Sequence, residues 1–323
     1  MQPTMDRRER EGLPQAPRLV SGDLPPEEPI PSYTGPSFVT DDPELSRLTP
    51  AELYELNQGM LNDAVPDRPL IDQLKHIAVL RSEYEHGTPA FLQQIDYLRS
   101  QGYNGIRRTR GDGDCFYRSL AFAFVERLMN SEEEELEFSV MSAISTLESV
   151  LPMLEAAGFQ KLVYEDFYET FVSIIKQIVE PDRLDHSNLT PALLLEAFQS
   201  PEVSNSVVVF LRLLTSAQIR TDPDSYADFL FNPELGEPMA PREFCESFVE
   251  AVGKEADHVQ MTALSRALNV NFSVAYLDGR SKDGTVDFVQ FDSGNDYGSE
   301  PMVLLYRPGH YDILERRSQE PLE

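Results

Sequence analysis

The chain has 323 residues, of which 41% are hydrophobic and 10% aromatic, enough to bury a core for one large domain or two ordinary ones. Its 55 acidic against 27 basic side chains leave a formal net charge of -28, which argues against direct nucleic-acid binding and suits equally a basic partner or plain solubility. Two cysteines, Cys115 and Cys245, cannot build a disulfide framework and show no zinc-ligand spacing; residues 1–11 carry no apolar leader, and the longest apolar run, 207–214, is broken by Arg212 and far short of the roughly 20 residues of a membrane span.

Residues 1–64 read as a largely disordered arm, with prolines at Pro14, Pro17, Pro25, Pro26, Pro29, Pro31, Pro36 and Pro43 and a short helix predicted near 50–62. Such a segment serves equally as a plain tail or a docking arm. From about Val65 the texture changes. Leu70, Leu74, Ile77 and Arg81 fall at helical spacing, as do Phe91, Ile95 and Leu98. Residues 102–113 read as a basic, glycine-bearing connector into a helix over 114–129, rich in buried residue types. Glu132 to Glu135 read as a solvated face or loop. Further helices are predicted at about 139–157, 164–179, 191–199, 205–215, 241–252 and 255–268. Strand alternation then takes over at 270–276, 286–291, 302–306 and 311–314. Helices first and a mostly antiparallel sheet afterwards is an α+β layout, with the domain spanning 65–318 and a tail at 319–323.

Two places carry chemistry. The first is Arg110-Gly111-Asp112-Gly113-Asp114-Cys115, a glycine turn running into the predicted helix. The helix dipole at that position favours a thiolate and lowers a cysteine pKa. The backbone amides of Asp112, Gly113, Asp114 and Cys115 can cradle an oxyanion. Carboxylates at Asp112 and Asp114 would oppose ionisation if they point inward, and one of them is expected to cap the helix. An inert buried thiol is the competing reading, and it suits Cys245 well. The second place is the turn Arg307-Pro308-Gly309 followed by His310 and Asp312, two side chains on one face of a strand. Asp312 can hold the His310 ring in one tautomer; a solvent-facing pair on an edge strand fits the same spacing. His76 and His86 read as surface residues on or just after an amphipathic helix, His186 as part of a polar loop, and His258 as lying in the first turn of a helix, where a cation is not favoured.

The segment 106–118, the run Leu211-Arg212-Leu213-Leu214-Thr215-Ser216, the run Lys254-Glu255-Ala256-Asp257-His258 and the segment 305–314 together resemble the otubains, within the ovarian-tumour (OTU) deubiquitinases. The resemblance covers about 65–314 in a single order. It implies a papain-like cysteine peptidase of OTU type, with helical layers around the sheet. It further implies a thiol isopeptidase acting after ubiquitin's C-terminal glycine: Cys115 as nucleophile, His310 as general base and acid, Asp312 orienting His310, and Asp112 in the oxyanion-hole loop. Glu255 matches a glutamate that can gate the histidine in the free enzyme. No cofactor or metal is implied. The implied partners are ubiquitin, polyubiquitin chains and ubiquitin-conjugating enzymes, with residues near 45–65 facing a second ubiquitin; nucleic acid and membrane are not among them, and a cytoplasmic and/or nuclear setting is expected. The rival reading is a non-catalytic module that holds ubiquitin-charged conjugating enzymes. This chain departs from the family at Asp114, where asparagine is usual, and at Gly111, where proline is common.

Overall fold

The computed structural model describes residues 68–85, 89–181, 187–233, 235–281, 283–294 and 302–316, all within one unit, Glu55–Glu323. The predicted arm of 1–64 with its helix near 50–62, the tail 319–323, His86 and His186 lie outside the described residues.

In chain order the elements are β1 Ile71–His76, α1 Ala78–Glu83, α2 Pro89–Ser100, β2 Tyr103–Thr109, α3 Cys115–Met129, α4 Glu133–Ser149, α5 Leu151–Ala156, α6 Lys161–Lys176, α7 Pro191–Gln199 and α8 Pro201–Thr221. Then come α9 Pro241–Phe244, which passes into a π turn Cys245–Val249, α10 His258–Leu268, and the strands β3 Phe272–Tyr276, β4 Asp287–Phe291, β5 Met302–Arg307 and β6 His310–Arg316. The six strands form one sheet in the order β1-β2-β6-β5-β3-β4, antiparallel at every pairing except β3 with β5. The α+β expectation therefore holds, with a mixed but mostly antiparallel sheet.

Two local readings are corrected. Residues 71–76 form an edge strand and not a helix: Leu70, Leu74 and Ile77 happen to fall at helical spacing, but the backbone pairs with β2, Ile71 opposite Thr109 and Leu74 opposite Arg107. Pairing overrides local periodicity here. The basic connector is strand β2, sandwiched between β1 and β6. Its arginines are not solvated. Arg107 and Arg108 are 6% and 5% exposed, and each carries its charge into an ion pair, with Glu126 and with Glu83. The acidic run 132–135 is exposed, as a solvated face should be, and it forms the start of α4, where carboxylates favour the positive end of the helix.

The sheet is covered on both faces, as its alternation shows. Leu304, Tyr311 and Ile313 face the larger core, built from α3, α6, α7, α8 and α10. Val303, Leu305 and Leu314 face the smaller core, under α1 and α2. Helix α3 is buried continuously from Cys115 through Val125, so it is the central helix. Each large apolar side chain it hides contributes about 1.5–3 kcal/mol. Seryl and threonyl hydroxyls stitch it to the sheet: Ser119 Oγ lies 2.8 Å from Thr109 Oγ1 and 3.4 Å from the Tyr311 carbonyl. Cys115 and His310 thereby start neighbouring elements at one end of the sheet.

At the other end, Arg107 donates to Glu126 at 2.7 Å and to Glu315 at 3.4 Å, with its guanidinium 4.5 Å above the Phe122 ring. Burial, and then the nearby Glu315 charge, push the Glu126 carboxyl up to about 7, against the pull of Arg107. The folded state thus binds this proton more tightly than the unfolded chain. The associated stability is full below the ordinary carboxylate pKa and is lost as pH rises through about 7. Glu126→Gln should remove that loss, worth on the order of 1–2 kcal/mol. Thermal unfolding at pH 5 and pH 8 checks it: the variant's melting temperature should fall less between the two than the wild type's, by ~2–6 °C.

Candidate active site

The loop between β2 and α3 is held by its own side chains and by two buried arginines. Gly113 adopts φ +78°, and a Cβ there would stand 2.0 Å from the Gly253 carbonyl oxygen, so only glycine fits. Asp112 Oδ1 accepts from the Asp114 amide at 3.0 Å and from Arg118 Nη1 at 2.8 Å. Arg118 also donates to Ser204 Oγ and Asn205 Oδ1 on α8. Asp114, the residue preceding α3, makes no capping hydrogen bond with its side chain. Its Oδ1 instead receives Arg212 Nε at 2.9 Å, Arg212 Nη2 at 2.5 Å and the Gly253 amide at 3.0 Å. Of the two aspartates, Asp112 is the one that closes the turn, and Asp114 is the counter-charge of a buried arginine.

The β5–β6 hairpin places Arg307 opposite His310 and Leu305 opposite Asp312, with Gly309 at φ +73° in the turn. Directly opposed residues share a face, so Arg307, His310 and Asp312 meet. His310 Nε2 lies 2.7 Å from Asp312 Oδ1, which also accepts the Thr109 amide at 3.0 Å. Asp312 Oδ2 accepts Arg307 Nε at 3.1 Å and Nη2 at 2.7 Å, and Arg108 Nη1 stands 3.9 Å away. Asp312 is 0% exposed. Burial, the largest influence on it, acts to raise its pKa, yet the His310 hydrogen bond and charge, with Arg307 and Arg108, hold it down at about 2. An ionised carboxylate only accepts, so the neutral His310 ring is the tautomer with its proton on Nε2 and its lone pair on Nδ1. That Nδ1 is buried and has no hydrogen-bond partner among the described residues. It lies against Gly111: a Cβ at Gly111 would be 3.3 Å from it. The unused nitrogen of the histidine therefore faces the loop that leads to Cys115.

Cys115 is 2% exposed. Burial pushes its thiol up to about 12, with Asp112, Asp312 and Glu255 adding to the rise and a hydrogen bond from the Tyr311 backbone opposing it. This reverses the lowered pKa expected from the helix start. The dipole's influence in the first turn is worth up to about 2 kcal/mol, whereas withdrawing a thiolate from water costs several. Glu255 is exposed along its length, but its carboxyl leans over the hairpin turn, 3.4 Å from where a Gly309 Cβ would stand. Burial raises its pKa and Asp257 adds to that, while His310 lowers it. Cys245 lies apart, fully buried, its sulfur 3.8 Å from the Ser216 carbonyl oxygen.

The structure thus brings together Cys115, His310, Asp312, Asp112 and Glu255. Of the remaining histidines, His76 ends β1 with Nδ1 accepting from Ala78, and His258 lies over Phe291. Among the described residues no group of three or more His, Cys, Asp or Glu side chains could hold a metal ion, and no helix is long and apolar enough to cross a membrane. Sequence reasoning missed Arg108, Arg118, Arg212 and Arg307 as members of the site. For Arg212 the signal was there: a charge inside an otherwise apolar helical run needs a buried partner.

The fold is the papain-like α+β fold of OTU peptidases. The family model described as Peptidase C65 Otubain matches residues 63–316, and the chain belongs to that family. It is 37% identical over 247 residues to human "Ubiquitin thioesterase OTUB1", covering 76% of this chain and 83% of that one. It is 35% identical over 260 residues to an Arabidopsis thaliana "OVARIAN TUMOR DOMAIN-containing deubiquitinating enzyme 1", covering 76% and 80%. Among solved structures it is similar to "The structure of h/ceOTUB1-ubiquitin aldehyde-UBC13~Ub", with TM-score 0.69 and 26% identity over 83% of this chain and 99% of that one.

Two outcomes follow from the geometry. Gly113→Ala should destabilise the domain by at least about 2 kcal/mol, read by denaturant unfolding, because loop and Gly253 must part. In the Cys245→Ala background, alkylation of Cys115 by iodoacetamide should rise about tenfold per pH unit from pH 7 to 10 with no plateau; a plateau near neutrality would contradict a thiol held at about 12.

Proposed function

We propose that the chain is a deubiquitinating thiol isopeptidase that uses Cys115, His310 and Asp312 on polyubiquitin. His310 Nδ1 takes the Cys115 proton. The thiolate attacks the carbonyl of the bond after ubiquitin's terminal glycine. The amides of Asp112, Gly113 and Cys115 face the developing oxyanion, while that of Asp114 is already given to Asp112. His310 then protonates the departing lysine amine, and water, deprotonated by His310, hydrolyses the thioester to free enzyme and ubiquitin. Asp312 keeps the proton on Nε2 throughout and stabilises the imidazolium.

The observation that supports this most is the state of His310: one nitrogen fixed on an ionised, buried carboxylate, the other bare and facing the nucleophile loop. In the free protein the thiol remains protonated, so substrate must lower its pKa. A basic substrate tail drawn towards Asp112 and Glu255 acts in the right sense, because both carboxylates raise the pKa of the thiol. The acidic chain as a whole steers such a substrate inward. The similarity to assemblies named with UBC13~Ub and UBCH5B~Ub supports a second role, in which the same domain holds ubiquitin-charged conjugating enzymes.

The test is intact-mass analysis with ubiquitin bearing a thiol-reactive C-terminus. One adduct should form on the wild type and on Cys245→Ala, and none on Cys115→Ala. An adduct surviving Cys115→Ala, or none on the wild type, overturns the assignment. Asp312→Asn should keep ubiquitin affinity but lower kcat by more than about 100-fold, since an amide can turn either face to the imidazole and releases its tautomer.

A further inference from the structure

Arg212 stands in the middle of α8, 0% exposed, where a charge is tolerated only when fully paired. Its donors go to two stretches of chain at once. Besides Asp114 Oδ1, Nη2 reaches the Gly113 carbonyl at 3.1 Å and the Lys254 carbonyl at 2.6 Å, and Nη1 reaches the Val249 carbonyl at 2.9 Å. The guanidinium lies 4.4 Å above the Tyr117 ring. The two stretches also touch directly, through the Gly253 amide on Asp114 and the Gly113–Gly253 backbone approach. Further along the same face of α8, Ser216 Oγ donates to Glu250 at 2.6 Å and Arg220 Nη1 at 3.2 Å. Arg212, Ser216 and Arg220 recur at i, i+4 and i+8, so one stripe of α8 holds the whole strap from Val249 to Lys254. That strap runs directly into Glu255.

We propose that Arg212 is a positioning residue for the Cys115 reaction. It joins the loop that presents the oxyanion amides and the strap that carries Glu255 into one unit, and Asp114 is the counter-charge that allows it to sit there. The inference rests on the thiol chemistry above and adds to it a residue that touches neither substrate nor the reacting atoms. The geometry explains why the fork is needed. Four acceptors, Asp114 Oδ1 and three backbone carbonyls, surround three nitrogens in one plane. A lysine keeps the charge but has one nitrogen, which cannot span them.

The experiment uses the full chain and a fluorogenic ubiquitin C-terminal amide. Arg212→Lys should lower kcat about 10- to 100-fold with KM within about twofold of wild type, because donors displaced by a fraction of an ångström fail in the transition state more than in the ground state. Inhibition by ubiquitin C-terminal aldehyde, whose thiol adduct carries an oxygen at the same amides, should weaken by a similar factor, while affinity for free ubiquitin stays unchanged. The pair Asp114→Asn/Arg212→Gln removes both charges. It should recover most of the melting temperature lost in Arg212→Gln alone without recovering kcat; if Arg212→Lys does not fold, this pair carries the test. A wild-type kcat in Arg212→Lys, or kcat returning with stability in the double variant, overturns the proposal and leaves Arg212 a purely structural ion pair. Those results require a wild type that forms the Cys115 adduct; a wild type that forms none removes the underlying reaction, and the proposal with it.

Discussion

Asp312 has no contact with water, yet it is ionised, and that combination governs the end of the sheet where Cys115 and His310 meet. A buried carboxylate survives as an anion only if the protein surrounds it with donors and cations. Here they come from two neighbouring strands: the amide of Thr109 and the Arg108 side chain from β2, and the Arg307 side chain from β5. Only because these are in place can His310 use Nε2 as a fixed pivot. The β2–β6 pairing, the burial of α3 and the turn at Gly309 then serve to bring the opposite nitrogen to the loop before Cys115.

The same neighbourhood is strongly anionic, and this has an opposite effect on the sulfur. Asp112, Asp312 and Glu255 lie close enough to raise its pKa beyond what burial alone does. Asp114 is paired with Arg212, 2.5 Å away. Aspartate at 114 departs from the asparagine that the resemblance leads one to expect. It exchanges a neutral acceptor for a charged one at a point where a charged donor, Arg212, is buried.

How far the sequence carried varied with the range of the interactions involved. The helix opening at Cys115 and the His310–Asp312 pair were legible because each is set by spacing within a few residues. The late strands were legible for the same reason. Strand β1 was misread because its apolar residues sit at helical intervals and only its partner β2 makes it extended. β2 itself was hidden by Gly105 and two arginines that look like linker residues until Glu126 and Glu83 are found beside them. Arg212 and Asp114 are 98 positions apart in the chain, so no local pattern joins them. Nor could spacing reveal how deeply Cys115 is buried, and burial decides its ionisation.

A sulfur held protonated beneath the surface has a consequence for the lifetime of the protein in an oxidising burst. Peroxides react with thiolates, and they do so where solvent can reach. Cys115 in the resting chain offers neither condition, and Cys245 is likewise fully enclosed, its thiol also pushed up to about 12. Thiol damage would therefore be confined to molecules caught while occupied, and the cysteines of an idle pool would pass through the burst intact.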